Sequence, residues 1–192
     1  MEINNTNYSR EKVLWMVIIP QIILLVLSMG WIYFIPQDNI SAYFKFSYII
    51  ILEGIGIGIG LSTLGYVFYI IIKKTKSLNS TVELFERILS PAFRNLNALD
   101  IFLLSFTAGF CEEIFFRGLV LTKFGIILSS IAFGLLHLPG LKFWIYALWA
   151  MLSGFILGFL FIWSGTLYLP IVAHAVNNIC GMFLLRTIKI KP

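Results

Sequence analysis

The chain has 192 residues, of which 59% are apolar and only 12% charged, with a formal net charge of +5. A water-soluble domain carries about a quarter charged residues, so this composition excludes a soluble globular protein and a disordered chain. It also excludes a nucleic-acid binder, because the basic residues are scattered between apolar runs instead of forming one stripe. What remains is an all-α, polytopic membrane bundle, since lipid tolerates no open sheet edge.

A helix needs about 20 apolar residues to cross the hydrocarbon core. With that ruler about six transmembrane helices follow in chain order, at residues 13–35, 46–72, 96–121, 124–138, 141–163 and 167–185. The first run is longer than the ~7–15 residues of a cleavable signal core and no A-x-A-like site follows it, so it reads as a retained span. The second carries Glu53, read as structural, and alternate glycines at Gly54, Gly56, Gly58 and Gly60. The pairs Gly54/Gly58 and Gly56/Gly60 fit small-xxx-small helix packing; a phosphate loop would need a strand before it and a helix after. Ser62 lacks the second glycine of a nucleophile elbow.

Residues 73–95 form the one sizeable polar segment, in which Val82, Leu84, Phe85, Ile88 and Leu89 recur at roughly helical spacing. An amphipathic helix on the inner leaflet and a plain cytoplasmic linker both fit. The chain divides here into 1–95, with two spans plus this segment, and 96–192, a core of about four spans. The fourth span is short and stops at Leu138-Pro139-Gly140, where proline and glycine end a helix. Placing the N-terminus inside puts eleven Lys and Arg residues on the cytoplasmic side against two outside, Lys45 and Lys123. Both termini are therefore expected in the cytoplasm. Cys111 and Cys180 lie within apolar runs and read as small buried hydrophobes. The abundance of Ile, Phe, Asn and Lys suggests an AT-rich bacterial source, hence a multi-pass protein of the plasma membrane.

Ionisable residues within a span are costly and call for an explanation. In the third span Glu113 and Arg117 stand at i and i+4 with the acid first, the favourable order for a pair. Glu112 points about 100° away and has no local partner, so it must face a polar cavity or be protonated. A positioned carboxyl of that kind suits a general base. In the fourth span Phe133 and His137 share one face. In the sixth, His174 and Asn178 are again i and i+4, and both can donate to a developing oxyanion or act as interhelical glue. One cluster that satisfies all these groups is the economical packing.

Glu112, His137 and His174 are also a conceivable zinc set with water as the fourth ligand. Two points stand against it. The Asn178 amide is a poor zinc ligand, and Glu113, the one carboxylate near enough to orient a histidine, is expected to be occupied by Arg117. No cofactor is therefore required, with zinc as the minority alternative.

Glu112-Glu113-x-x-x-Arg117, then Phe133-x-x-x-His137, then His174-x-x-x-Asn178, in that order on successive spans, resembles the CPBP family of intramembrane CAAX proteases and bacteriocin-processing or immunity proteins, also called Abi. The resemblance covers roughly residues 100–181. It implies a membrane-embedded endopeptidase in which Glu112 and His137 activate water. His174 and Asn178 would form the oxyanion hole, and Glu113, Arg117 and Phe133 would support the site. The substrate would be a membrane-associated peptide or protein, reached from the lipid bilayer, with no nucleic acid involved. Two other readings remain: a non-enzymatic immunity or regulatory protein, and a proton-coupled transporter, for which the sequence lacks the expected internal repeat.

Overall fold

The computed structural model describes residues 8–35, 40–75 and 79–188. Among these residues there is no strand. Helix α1 (Arg10–Phe34) leads through a single 3-10 turn (Ile40–Tyr43) to α2 (Tyr48–Lys74). A shorter helix, α3 (79–94), is α-helical at both ends and π-helical over Leu84–Leu89. Helix α4 (Ala98–Glu113) continues as a π-helical stretch, Ile114–Leu121, and is followed by α5 (Thr122–Leu136). After a 3-10 turn at Leu141–Phe143 come α6 (Trp144–Ser164) and α7 (Tyr168–Thr187).

Five stretches are long and apolar enough to cross a membrane, and one of them, Ala98–Leu136, is 39 residues long. That stretch is not one rod. Gly125 has φ 82° and ψ 169°, a conformation open to glycine, and there the chain doubles back. The Ser129 hydroxyl donates to the Phe116 carbonyl at 2.8 Å, whereas thirteen residues of straight helix would hold them about 20 Å apart. Ala98–Leu136 is thus a hairpin with a shorter second arm, within a multi-pass membrane protein. The break predicted at Leu138-Pro139-Gly140 also stands: α5 ends at Leu136 and His137 is its cap.

Both ends of the bundle are tied. At one end Arg10 grips the Asp100 carboxylate with two hydrogen bonds, 2.6 and 2.7 Å, while Asp100 and Asn97 form a capping box that starts α4. The Arg94 guanidinium donates to the carbonyls of Arg186 and Ile188, and Lys73 meets Glu86 at 2.6 Å. At the other end the Thr166 hydroxyl and the Leu167 amide both donate to the Tyr43 carbonyl. Arg10, Lys73, Arg94, Lys142 and Arg186 thereby fall at the first end. Lys45, beside the Thr166 tie, falls at the second.

Helix α7 runs through the middle, with Leu169 and Ala173 fully buried. Helix α2 lies along it at backbone contact: a Cβ added at Gly58 would stand 2.6 Å from the Ala173 carbonyl oxygen, and one at Gly54 would stand 2.8 Å from Val172 Cβ. Gly56 and Gly60 meet nothing within 4 Å and face outward, so only the first glycine pair does the packing expected of both. Within the segment 73–95, read as an amphipathic helix or a linker, a helix forms over the described residues 79–94, with Leu84 and Phe85 buried. Its apolar face meets Tyr69, Ile72 and Ile188 beneath the bundle and does not simply rest on lipid.

Candidate active site

Helices α4, α5 and α7 each deliver part of one buried polar cluster. The capping box fixes where α4 begins, and Glu112 and Glu113 close its α-helical part. The π-helical stretch that follows widens the helix; such insertions recur at functional sites. Arg117 lies within it, yet its Nη1 still reaches Glu113 Oε1 at 3.0 Å. Its Nη2 donates to the Gly154 carbonyl on α6 at 2.8 Å. Both Glu113 and Arg117 are completely buried.

Glu113 does more than the spacing foretells. Its Oε1 also takes a hydrogen bond from His174 Nδ1 at 2.8 Å, across from α7. The expectation that Arg117 occupies Glu113 is corrected here: one carboxylate oxygen serves both partners, so His174 does have an orienting carboxylate. A pairing between helices 61 residues apart in sequence leaves no periodicity to read.

Phe133 stands at the centre. Its ring lies 4.6 Å under the Arg117 guanidinium, stacks on His137 at 4.4 Å and meets His174 edge-on at 5.8 Å. Gly154 makes room for it, since a Cβ there would come within 3.1 Å of the ring. His137 turns its Nδ1 to the Phe133 carbonyl at 2.8 Å. A carbonyl only accepts, so Nδ1 carries the hydrogen and Nε2 faces inward.

Glu112 is buried but differently placed. Its Oε2 has no hydrogen-bond partner among the described residues and stands 3.7 Å from His137 Nε2 and 3.9 Å from His174 Nε2. These atoms border a cavity of about 360 Å³, which Tyr146, Ser153, Asn177 and Asn178 also line. The structure therefore brings Glu112, His137, His174 and Asn178 to one cavity, with Phe133 also in its wall and Glu113 and Arg117 behind. The other oxygen, Oε1, accepts a hydrogen bond from Gln21 Nε2 at 2.8 Å. Gln21, on α1, is a site residue that sequence reasoning missed. A lone amide in a long apolar helix was the one available signal.

The zinc alternative needs Glu112, His137 and His174 to converge on a point. They share the cavity, but among the described residues no group of three or more His, Cys, Asp and Glu side chains is placed to hold a metal ion.

Residues 94–180, from the last residue of α3 well into α7, match the family model described as type II CAAX prenyl endopeptidase Rce1-like. This segment, somewhat less than half of the chain, is similar to that family. It contains all three motifs, and the family it resembles is of the protease type to which they point. The uncharacterized protein YpbD of Bacillus subtilis (strain 168) is 33% identical over 76 residues, 40% of either chain. The chain thus aligns with well under half of that relative's length. No solved structure matches. The Rce1-like segment excludes α1 and α2, and so excludes Gln21.

Proposed function

We propose that the protein is an intramembrane endopeptidase that hydrolyses a peptide bond in a membrane-associated peptide or protein without a metal. The observation that carries this reading is Glu112 Oε2, buried, without a partner among the described residues, and held within 4 Å of two inward-facing imidazole nitrogens. A carboxylate left open at that cost inside a bilayer is a functional group by default. The Rce1-like match over the same residues supports the reaction class.

Water bound at Glu112 Oε2 and His137 Nε2 attacks the scissile carbonyl carbon. Its proton passes to this pair and then to the amine nitrogen as the carbon–nitrogen bond breaks, which is general acid–base catalysis by one group in two roles. Glu112 and Glu113 bring two negative charges to the cluster and Arg117 one positive charge. A proton on His174 balances them. His174 then donates Nδ1–H to Glu113 and offers Nε2–H to the carbonyl oxygen as it becomes an oxyanion, beside the Asn178 amide. Fixed donors of this kind gain strength where water is excluded.

The test compares membrane peptides, by mass spectrometry, in cells holding equal amounts of the wild-type protein or Glu112→Gln. A longer precursor accumulating in the variant, with its shorter product lost, is the expected outcome. Identical peptide populations would instead favour a non-catalytic role such as binding of a partner peptide. Metal analysis and assay after chelation complete the test: stoichiometric zinc, with activity lost on stripping and restored by adding it back, would overturn the metal-free route.

A further inference from the structure

Helix α1 has three buried positions, Val13, Gln21 and Ser28, and otherwise shows partly or fully exposed residues to its surroundings. Two of the three have an ordinary explanation. Val13 joins a cluster with Leu96, Ile101 and Leu104, and the Ser28 hydroxyl returns to the Leu24 carbonyl of its own helix. Gln21 has neither. An amide buried in a membrane helix is costly unless hydrogen-bonded, and here only one half of it is. Nε2 donates to Glu112 Oε1, while Gln21 Oε1 is buried without a partner among the described residues.

We infer that Gln21 is a positioning residue for the proposed reaction, holding the Glu112 carboxylate so that Oε2 alone is presented to His137 and His174. The inference rests on the reading of Glu112 as the group that activates water. Three facts carry it. The hydrogen bond engages the oxygen that does not face the imidazoles. Glu112 has no hydrogen-bond donor from its own helix, because Arg117 is engaged with Glu113 and Gly154. The donor also comes from outside the Rce1-like segment, so α1 completes a site whose other members lie within 94–180. Without it the carboxylate is free to turn about its last torsion, a broad two-fold rotation, and reactive geometry becomes one orientation among several.

The experiment uses the full chain in lipid bilayers and needs no substrate. Infrared difference spectra, wild type minus Glu112→Gln, isolate the carboxylate stretching bands of Glu112. In Gln21→Met, which keeps volume and removes the donor, those bands should shift while thermal stability stays near that of the wild type. An unshifted pair of bands in a folded Gln21→Met overturns the inference. Should that variant not fold, the side-chain amide proton of Gln21 is read in the wild-type protein by solid-state NMR with labelled glutamine. It should move when Glu112→Gln is introduced, and an unmoved signal is equally fatal. Once a cleaved peptide is known, Gln21→Met should lower turnover about tenfold to a hundredfold, the worth of one hydrogen bond to a charged group, with KM little changed. That loss should vanish in the Glu112→Gln background. A loss of turnover without a band shift assigns Gln21 a different role. A band shift with no measurable proteolysis leaves the positioning intact and removes the reading it rests on.

Discussion

Two carboxylates that are neighbours in the chain meet opposite conditions inside the bundle. Glu113 is held by a guanidinium and an imidazole, and Glu112 by a single amide. Removing one partner of a buried ionic pair costs about 3–5 kcal/mol, so Glu113→Ala should sharply lower thermal stability in detergent, leaving both Arg117 and His174 without their acceptor. Glu112→Ala should cost less, about 1–3 kcal/mol, because it leaves only the Gln21 amide without its acceptor; equal destabilisation by the two would contradict this division. His174→Ala and Asn178→Ala should each reduce turnover by about 3–4 kcal/mol, the usual worth of an oxyanion donor, as measured by rate on the cleaved peptide. The separation of the two glutamates is legible from 100° per residue alone. The Gln21 and His174 contacts are not, because they join different helices and depend on how α1 and α7 lie against α4.

At the level of elements, α2 and α7 are matched by absence of side chains. An alanine at Gly58 must displace the Ala173 backbone, whereas one at Gly56 meets open space. Gly58→Ala should therefore destabilise the protein by about 1–3 kcal/mol, as overpacking does, and Gly56→Ala should be close to neutral by the same detergent melt. Sequence spacing cannot choose between the pairs, because both are i and i+4 and the difference lies in which face α7 covers. Helix α3 is tied to α2 through Glu86. Burial raises its carboxyl, but the Lys73 ammonium and Tyr69 hydroxyl prevail and hold it below its ordinary value of 4.5. That tie is fully present above the ordinary value and lost as pH falls through the lower folded one. Proteolysis within 79–94 should accordingly rise on acidification below about pH 4.5, and Glu86→Gln should show no such pH step.

For the whole molecule, the grouping of basic residues at one end sets the orientation expected from the excess of positive charge. A cysteine at Ser80 should react with an impermeant reagent only after the cells are opened; labelling from outside would reverse the topology. Composition and run length are enough to read the all-α membrane class, which follows from the solvent; the six expected runs emerge as five long apolar stretches because two of them are joined across Gly125. The reversal at Gly125 bears on how the protein is made. Past the reversal, helix α5 runs only over residues 126–136, about 16 Å at 1.5 Å each, against a hydrocarbon core of about 30 Å. Too short to partition into lipid by itself, it must leave the translocon already folded against α4 as a helical hairpin. A residue that cannot adopt the Gly125 backbone would then betray itself during synthesis, as a misinserted chain with α5 stranded outside the bilayer.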